Sequence, residues 1–193
     1  MISLKDGEKL VKLARESILL KFKGKTPNLL EYSKYATPQG VFVTIHKNGA
    51  LRGCVGFPMP YYPLNESIEK AAKAAAFEDT RFQPISENEY NDLKFEISIL
   101  TVPEKINVKN PEDYIKKIRI GEDGLIIKNQ FTSGLLLPQV AFECGFDEKQ
   151  FLEQTCLKAG LTKSAWKEIG TEVFKFQAKI FSEEDGKVVL RKE

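Results

Sequence analysis

The segment Leu51-Arg-Gly-Cys-Val-Gly56 sets a guanidinium two positions from a thiol and flanks the thiol with glycines. Cysteine reacts as its thiolate, which a neighbouring cation or converging backbone amides favour. Cys54 is therefore the candidate nucleophile, and Arg52 the candidate anchor for a carboxylate or phosphate. The competing reading is a small buried core thiol, since free cysteine is among the most buried residue types.

A thiol nucleophile ordinarily works with a base, and His46 is the sole histidine. Val41–His46 reads as a strand, and Asn48-Gly49 is a strong signal for a hairpin into the segment from Ala50 to Phe57. With a two-residue Asn48-Gly49 turn, His46 pairs with Leu51, and strict alternation then puts His46 and Cys54 on opposite faces. A three-residue loop would bring His46, Arg52 and Cys54 to one face, still several residues apart along the ladder. A Cys–His dyad is not expected from this pattern, and activation of Cys54 falls to Arg52 and backbone amides.

Other polar positions invite the same weighing. Asp79 and Arg81, in a turn after an alanine-rich helix, could offer a carboxylate and a guanidinium to a cleft or simply cap the helix end. Glu96 and Ser98 fall on the polar face of a strand, where solvent exposure is the plain expectation. Gln139 opens a short helix, where its amide could reach a ligand. Cys54, Cys144, Cys156 and His46 lack the short spacings of a zinc site. Gly53-Cys-Val-Gly56 spells the G-x-x-G of an RNA-binding KH loop, but that loop joins two helices and this segment lies in a hairpin. No phosphate-binding loop, dinucleotide fingerprint or H-E-x-x-H occurs, so no cofactor is expected.

The elements that must position these residues follow from periodicity. Leu4 to Lys23 reads as a helix stopped at Gly24, and Leu64 to Phe77 as a second. Ser86 and Glu89 fit a capping box, and Leu93 to Ile99 alternates as a half-buried strand. Asn110-Pro111 suits a helix start, Leu125–Asn129 a strand, Pro138 to Cys144 a short helix, and Asp147 to Lys158 another, ended by Gly160. Val173–Phe181 alternates as one long final strand, with the charged C-terminus an edge element or frayed. Hairpins and helices without regular strand–helix alternation predict an α+β fold, antiparallel sheets flanked by helices.

Composition narrows the class. The chain has 193 residues, 42% hydrophobic and 29% charged, with a net charge of +2 and both signs interleaved. It shows no basic block of the kind that marks a nucleic-acid or membrane footprint. No apolar run approaches the ~20 residues of a membrane helix. Three cysteines, an odd count, with no secretory h-region predict a reducing, cytoplasmic setting.

Five blocks together carry a resemblance: Leu51–Gly56, Ala75-Ala-Phe-Glu-Asp-Thr-Arg-Phe82, Glu96-Ile-Ser-Ile-Leu100, Gly134-Leu-Leu-Leu-Pro-Gln-Val-Ala141, and Lys158-Ala-Gly-Leu161 with Trp166 beyond. In that order and spacing the chain closely resembles the AMMECR-type domain family over nearly its whole length, and Gly56-Phe-Pro58 resembles its archaeal branch. The resemblance implies a single domain over 1–193 of two unequal lobes, the smaller expected within 103–137. It implies no established reaction, only a suspected enzymatic role for the arginine–glycine–cysteine motif. Family context implies Memo-like and radical S-adenosylmethionine proteins as pathway partners. The motif positions carried over are Arg52, Gly53, Cys54, Gly56, Asp79, Arg81, Phe82, Pro138 and Gln139, and His46 is not among them. Two functions are thus expected to compete. One is a small-molecule enzyme with Cys54 and Arg52 at its centre and Gly53, Gly56, Asp79, Arg81 and Gln139 binding the ligand. The other is a non-catalytic adaptor for a protein partner, with Phe57, Tyr61 and Tyr62 as its exposed aromatics.

Overall fold

The computed structural model describes residues 2–191. In chain order the elements are α1 (Leu4–Phe22), β1 (Val41–Lys47), β2 (Ala50–Phe57), α2 (Leu64–Phe77), β3 (Leu93–Leu100), β4 (Glu104–Lys105), β5 (Gly124–Lys128), β6 (Ser133–Leu136), α3 (Pro138–Glu143), α4 (Glu148–Lys158), β7 (Glu172–Phe176), β8 (Ala178–Glu184) and β9 (Lys187–Arg191). Short 3-10 turns of helix cover Leu29–Tyr35, Glu87–Asp92, Pro111–Lys117 and Ala165–Lys167. The fold is α+β, with a five-stranded sheet ordered β2-β1-β3-β8-β9 and a four-stranded sheet ordered β4-β7-β5-β6. No helix among the described residues is long and apolar enough to cross a membrane.

The chain divides into two compact units, one holding residues up to Leu100 and from Lys179 onward, the other Thr101–Ala178. In the first, Val41, Val43 and Ile45 of β1 alternate into a core shared with Leu10, Ile18, Ile68 and Phe95. Helix α1 starts on a Ser3–Asp6 capping box, which satisfies amides that the first turn leaves unpaired. Helix α2 lays its alanines against β1 and β2. That close approach requires Gly53, because a Cβ there would sit 2.1 Å from the Ala75 carbonyl oxygen.

The second unit packs α3 and α4 on its sheet around Phe151, Leu152, Cys156, Trp166 and Val173. Asp147 caps α4 through a hydrogen bond accepted from the Gln150 amide (2.7 Å). The segment 103–137 lies inside this unit, which also takes in α3, α4 and β7.

Val173–Phe181 is not one strand. It divides at Gln177 into β7 and β8, which belong to different sheets. Gln177 accepts from the Thr101 amide (2.9 Å), and its own amide donates to Thr101 Oγ1 (2.9 Å), so the ladder is interrupted there. The charged C-terminal segment forms edge strand β9, joined to β8 by a turn with Asp185 and Gly186 at positive φ.

Candidate functional site

The β1–β2 turn is the two-residue kind, with Asn48 at φ 52° and Gly49 at φ 80°, a combination that matches the right-handed twist of paired strands. His46 pairs with Leu51, as a two-residue turn requires, yet Ile45 pairs with Gly53. Arg52 is therefore an extra residue, a β-bulge that reverses the alternation beyond it. Thr44 then stands opposite Cys54, and Thr44 and His46 share a face by strand periodicity. The structure corrects the sequence reading here: His46 and Cys54 lie on the same face, because the bulge undoes the parity that the turn imposes.

Cys54 Sγ is 3.3 Å from Thr44 Oγ1. On its other side Thr44 pairs with Glu96 of β3, so Cys54, Thr44 and Glu96 form one row across three strands. Glu96 and Ser98 are buried rather than solvent-exposed, Glu96 at 7% exposure and Ser98 at 1%. The sequence missed the burial of Glu96, since alternation marks a polar face but does not tell whether that face is shielded.

Strand β2 is the edge of its sheet, which would leave the outward backbone groups of Cys54 unpaired. Asp79 and Arg81 take the place of a neighbouring strand. The Cys54 amide donates to Asp79 Oδ2 (2.9 Å), and Arg81 Nη2 donates to the Cys54 carbonyl (3.2 Å). The two side chains also bind each other, Arg81 Nε to Asp79 Oδ1 at 2.9 Å and Nη2 to Oδ2 at 2.7 Å. Arg81 beside it, with the Cys54 amide, holds the Asp79 carboxyl well below the usual carboxylate range. Hydrogen bonding to Asp79 in turn raises Arg81 above its ordinary value, burial opposes this, and charge on the Cys54 sulfur pushes it the same way as Asp79.

Arg52 is engaged elsewhere. Its Nε and Nη2 donate to the two oxygens of Glu89 (both 3.2 Å), and Nη1 donates to the Gln83 carbonyl (2.8 Å). Glu89 also receives Lys47 Nζ (3.0 Å) and the Ser86 amide (3.0 Å). Arg52 first, then the Ser86 amide and Lys47, keep the Glu89 carboxyl well below its usual range. The Arg52 guanidinium thus fixes the bulge to the capped turn at Ser86–Glu89. The arginine that touches Cys54 is Arg81, through the Cys54 carbonyl.

The motif glycines also have packing reasons. Gly53 admits α2, and a Cβ at Gly56 would lie 2.3 Å from the Val41 carbonyl and 2.5 Å from the Phe42 ring. The AMMECR1 family pattern matches residues 11–181. The chain belongs to the AMMECR1 family. It is 46% identical to Protein PF1979 of Pyrococcus furiosus, covering 95% of this chain and 92% of that one, and 41% identical to Protein MJ0810 of Methanocaldococcus jannaschii, covering 100% and 98%. The crystal structure of uncharacterized protein PH0010 from Pyrococcus horikoshii superposes with a TM-score of 0.90 at 44% identity, covering 97% of each chain.

Within the AMMECR1 domain, Gln139 belongs to the other compact unit, at the start of α3, with its Oε1 buried and without a hydrogen-bond partner among the described residues. The remaining cysteines differ from Cys54. Cys144 is exposed, and Cys156 is sealed in the second core, where burial pushes its thiol up to about 11.

Proposed function

We propose that this protein is a small-molecule enzyme whose chemistry runs on the Cys54 thiol. The observation that carries this is the row Cys54–Thr44–Glu96, on a face shared with His46, behind a strand whose backbone is clamped by Asp79 and Arg81. Clamping matters because a nucleophile held in one geometry needs no reorganisation before it reacts. In the proposed step Cys54 Sγ bonds to an electrophilic substrate carbon, the π electrons of that carbon move to its heteroatom, and the thiol proton ends on that heteroatom by way of solvent. Arg81, bound to the Cys54 carbonyl, is the cation that favours the thiolate in this reading. Arg52 and the two glycines maintain the shape of the strand, and Gln139 takes no part in this step.

The test is site-resolved alkylation of the folded chain by iodoacetamide, with each cysteine peptide followed by mass spectrometry. Cys54 should react at least as fast as exposed Cys144, although Cys54 is only partly exposed. Protection of Cys54 equal to that of Cys156 would remove the enzymatic reading.

A second reading is a protein-binding adaptor, with a Memo-like protein as partner and a radical S-adenosylmethionine protein in the same pathway. Tyr61 is 72% exposed and Tyr62 40%, with Tyr62 set edge-on to Phe57 at 5.6 Å. Exposed tyrosines of this kind are favoured at protein interfaces. If the adaptor reading holds, Tyr61→Ala should abolish co-purification with a Memo-like protein while Cys54→Ala leaves it intact.

A further inference from the structure

Each sheet has two edge strands, and three of these four edges carry a safeguard against pairing with another chain. Asp79 and Arg81 bind the outward backbone of β2. Strand β9 has Lys187 and Arg191 at its ends and lies against α1. Strand β4 is only the charged pair Glu104–Lys105. Strand β6, Ser133-Gly-Leu-Leu136, has no charge, no proline and an unbroken register with β5. The Asn129 amide donates to the Thr132 carbonyl (3.0 Å) and closes the β5–β6 turn. Antiparallel pairs alternate between bonded and unbonded, so Gly134 and Leu136 bond to β5 while Ser133 and Leu135 turn their N–H and C=O groups away from it. Those outward groups have no hydrogen-bond partner among the described residues.

We infer that β6 is a dimerisation edge, on which a second copy of this chain lays its own β6 antiparallel, joining two four-stranded sheets into one. The inference is independent of any role for Cys54. What favours a second copy as the occupant is self-complementarity about a two-fold axis. With Leu135 opposite Leu135 on that axis, the outward groups of each meet. Ser133 then falls opposite Leu137, whose amide also has no partner among the described residues. The strand brings no charge, so the two-fold repeat sets no like charges against each other. Antiparallel pairing also carries the β5–β6 turn of one copy toward the start of α3 in the other. Phe131 in that turn is 88% exposed and Phe142 in α3 69%, so each copy offers an aromatic toward both ends of the shared ladder. Aromatic side chains of this kind are enriched where protein surfaces meet.

A four-residue ladder is short, so the dimer should be weak, with a dissociation constant on the order of 100 µM. Sedimentation velocity of the unaltered chain should show monomer at about 10 µM and mostly dimer at about 1 mM. Amide hydrogen exchange by NMR locates the contact. Between about 50 µM and about 1 mM, exchange at Ser133 and Leu135 should slow about threefold, which is the fall in monomer fraction for such a constant. Gly134 and Leu136, bonded to β5 in either state, should not change. Leu135→Pro removes an outward amide without touching the β5 ladder and should weaken the dimer about tenfold. Phe131→Ser should weaken it several-fold. A chain still monomeric at about 1 mM overturns the inference. So does a dimer in which Ser133 and Leu135 exchange at the same rate at both concentrations, a result read on the unaltered chain whether or not the proline variant folds. A folded Leu135→Pro that dimerises as well as the unaltered chain overturns it too.

Discussion

Two arginine–carboxylate clamps hold strand β2, and they differ in what they leave open. Arg52–Glu89 is closed: side-chain exposures are 16% and 21%, and Lys47, Ser86 and the Gln83 and Pro84 carbonyls complete the partners. Asp79–Arg81 is half open, with Asp79 buried and the Arg81 side chain 55% exposed. The first has every reason to be scaffold, since its guanidinium is enclosed by groups of the same chain. The second grips the backbone of Cys54 and leaves its guanidinium half exposed. The same pair of residue types thus serves to fix a bulge in one place and to hold an edge-strand backbone in the other.

The largest effect should come from the position that both clamps presuppose. Gly53→Ala forces a Cβ against the Ala75 carbonyl, and chemical denaturation should show a loss of about 3 kcal/mol or failure to fold, because backbone on both sides leaves nothing to give. Next, Glu89→Gln leaves Arg52 without its charged acceptor and should cost about 2 kcal/mol by the same measurement. Asp79→Asn should cost somewhat less, about 1 kcal/mol, since an amide oxygen still accepts from the Cys54 amide. A larger loss for Asp79→Asn than for Glu89→Gln would reverse the ranking of the two clamps.

Acid should act on both clamps in the same direction. Asp79 and Glu89 have folded-state pKa values below their unfolded ones, so the stability they add is fully present above the unfolded carboxylate values near pH 4 and is lost as pH falls through the folded values. Thermal unfolding followed from pH 5 to pH 2 should show a falling midpoint, with a shallower fall in Glu89→Gln and in Asp79→Asn than in the unaltered chain. The smallest effect concerns Cys156, which should remain unalkylated in the folded chain up to about pH 10 because burial raises its thiol.

Much of the scaffold was legible in the sequence because its signals are local. Helix α2 runs from Leu64 to Phe77 as its apolar spacing predicts, and the Ser86–Glu89 capping box and the Asn48-Gly49 turn form where their residue types place them. What escaped was phase. Nothing in Leu51-Arg-Gly-Cys distinguishes a bulged arginine from a regular one, and that one extra residue decides which face the thiol and the histidine share. Val173–Phe181 misled for a related reason, since the alternation continues through Gln177 although the hydrogen bonds do not. The Asp185-Gly186 turn is a local signal that the sequence reading passed over, whereas the burial of Glu96 depends on what surrounds the sheet face. The packing of Gly53 and Gly56 could not be separated from a ligand role by spelling alone, as close backbone approach serves either purpose.

The division of labour between the clamps is tested most directly by Arg52→Gln and Arg81→Gln, each measured for stability and for the iodoacetamide rate at Cys54 in the folded chain. Arg81→Gln should slow alkylation of Cys54 several-fold, while Arg52→Gln should lower stability by about 2 kcal/mol and leave that rate within about twofold. Slowing by Arg52→Gln with no change in Arg81→Gln would overturn that division.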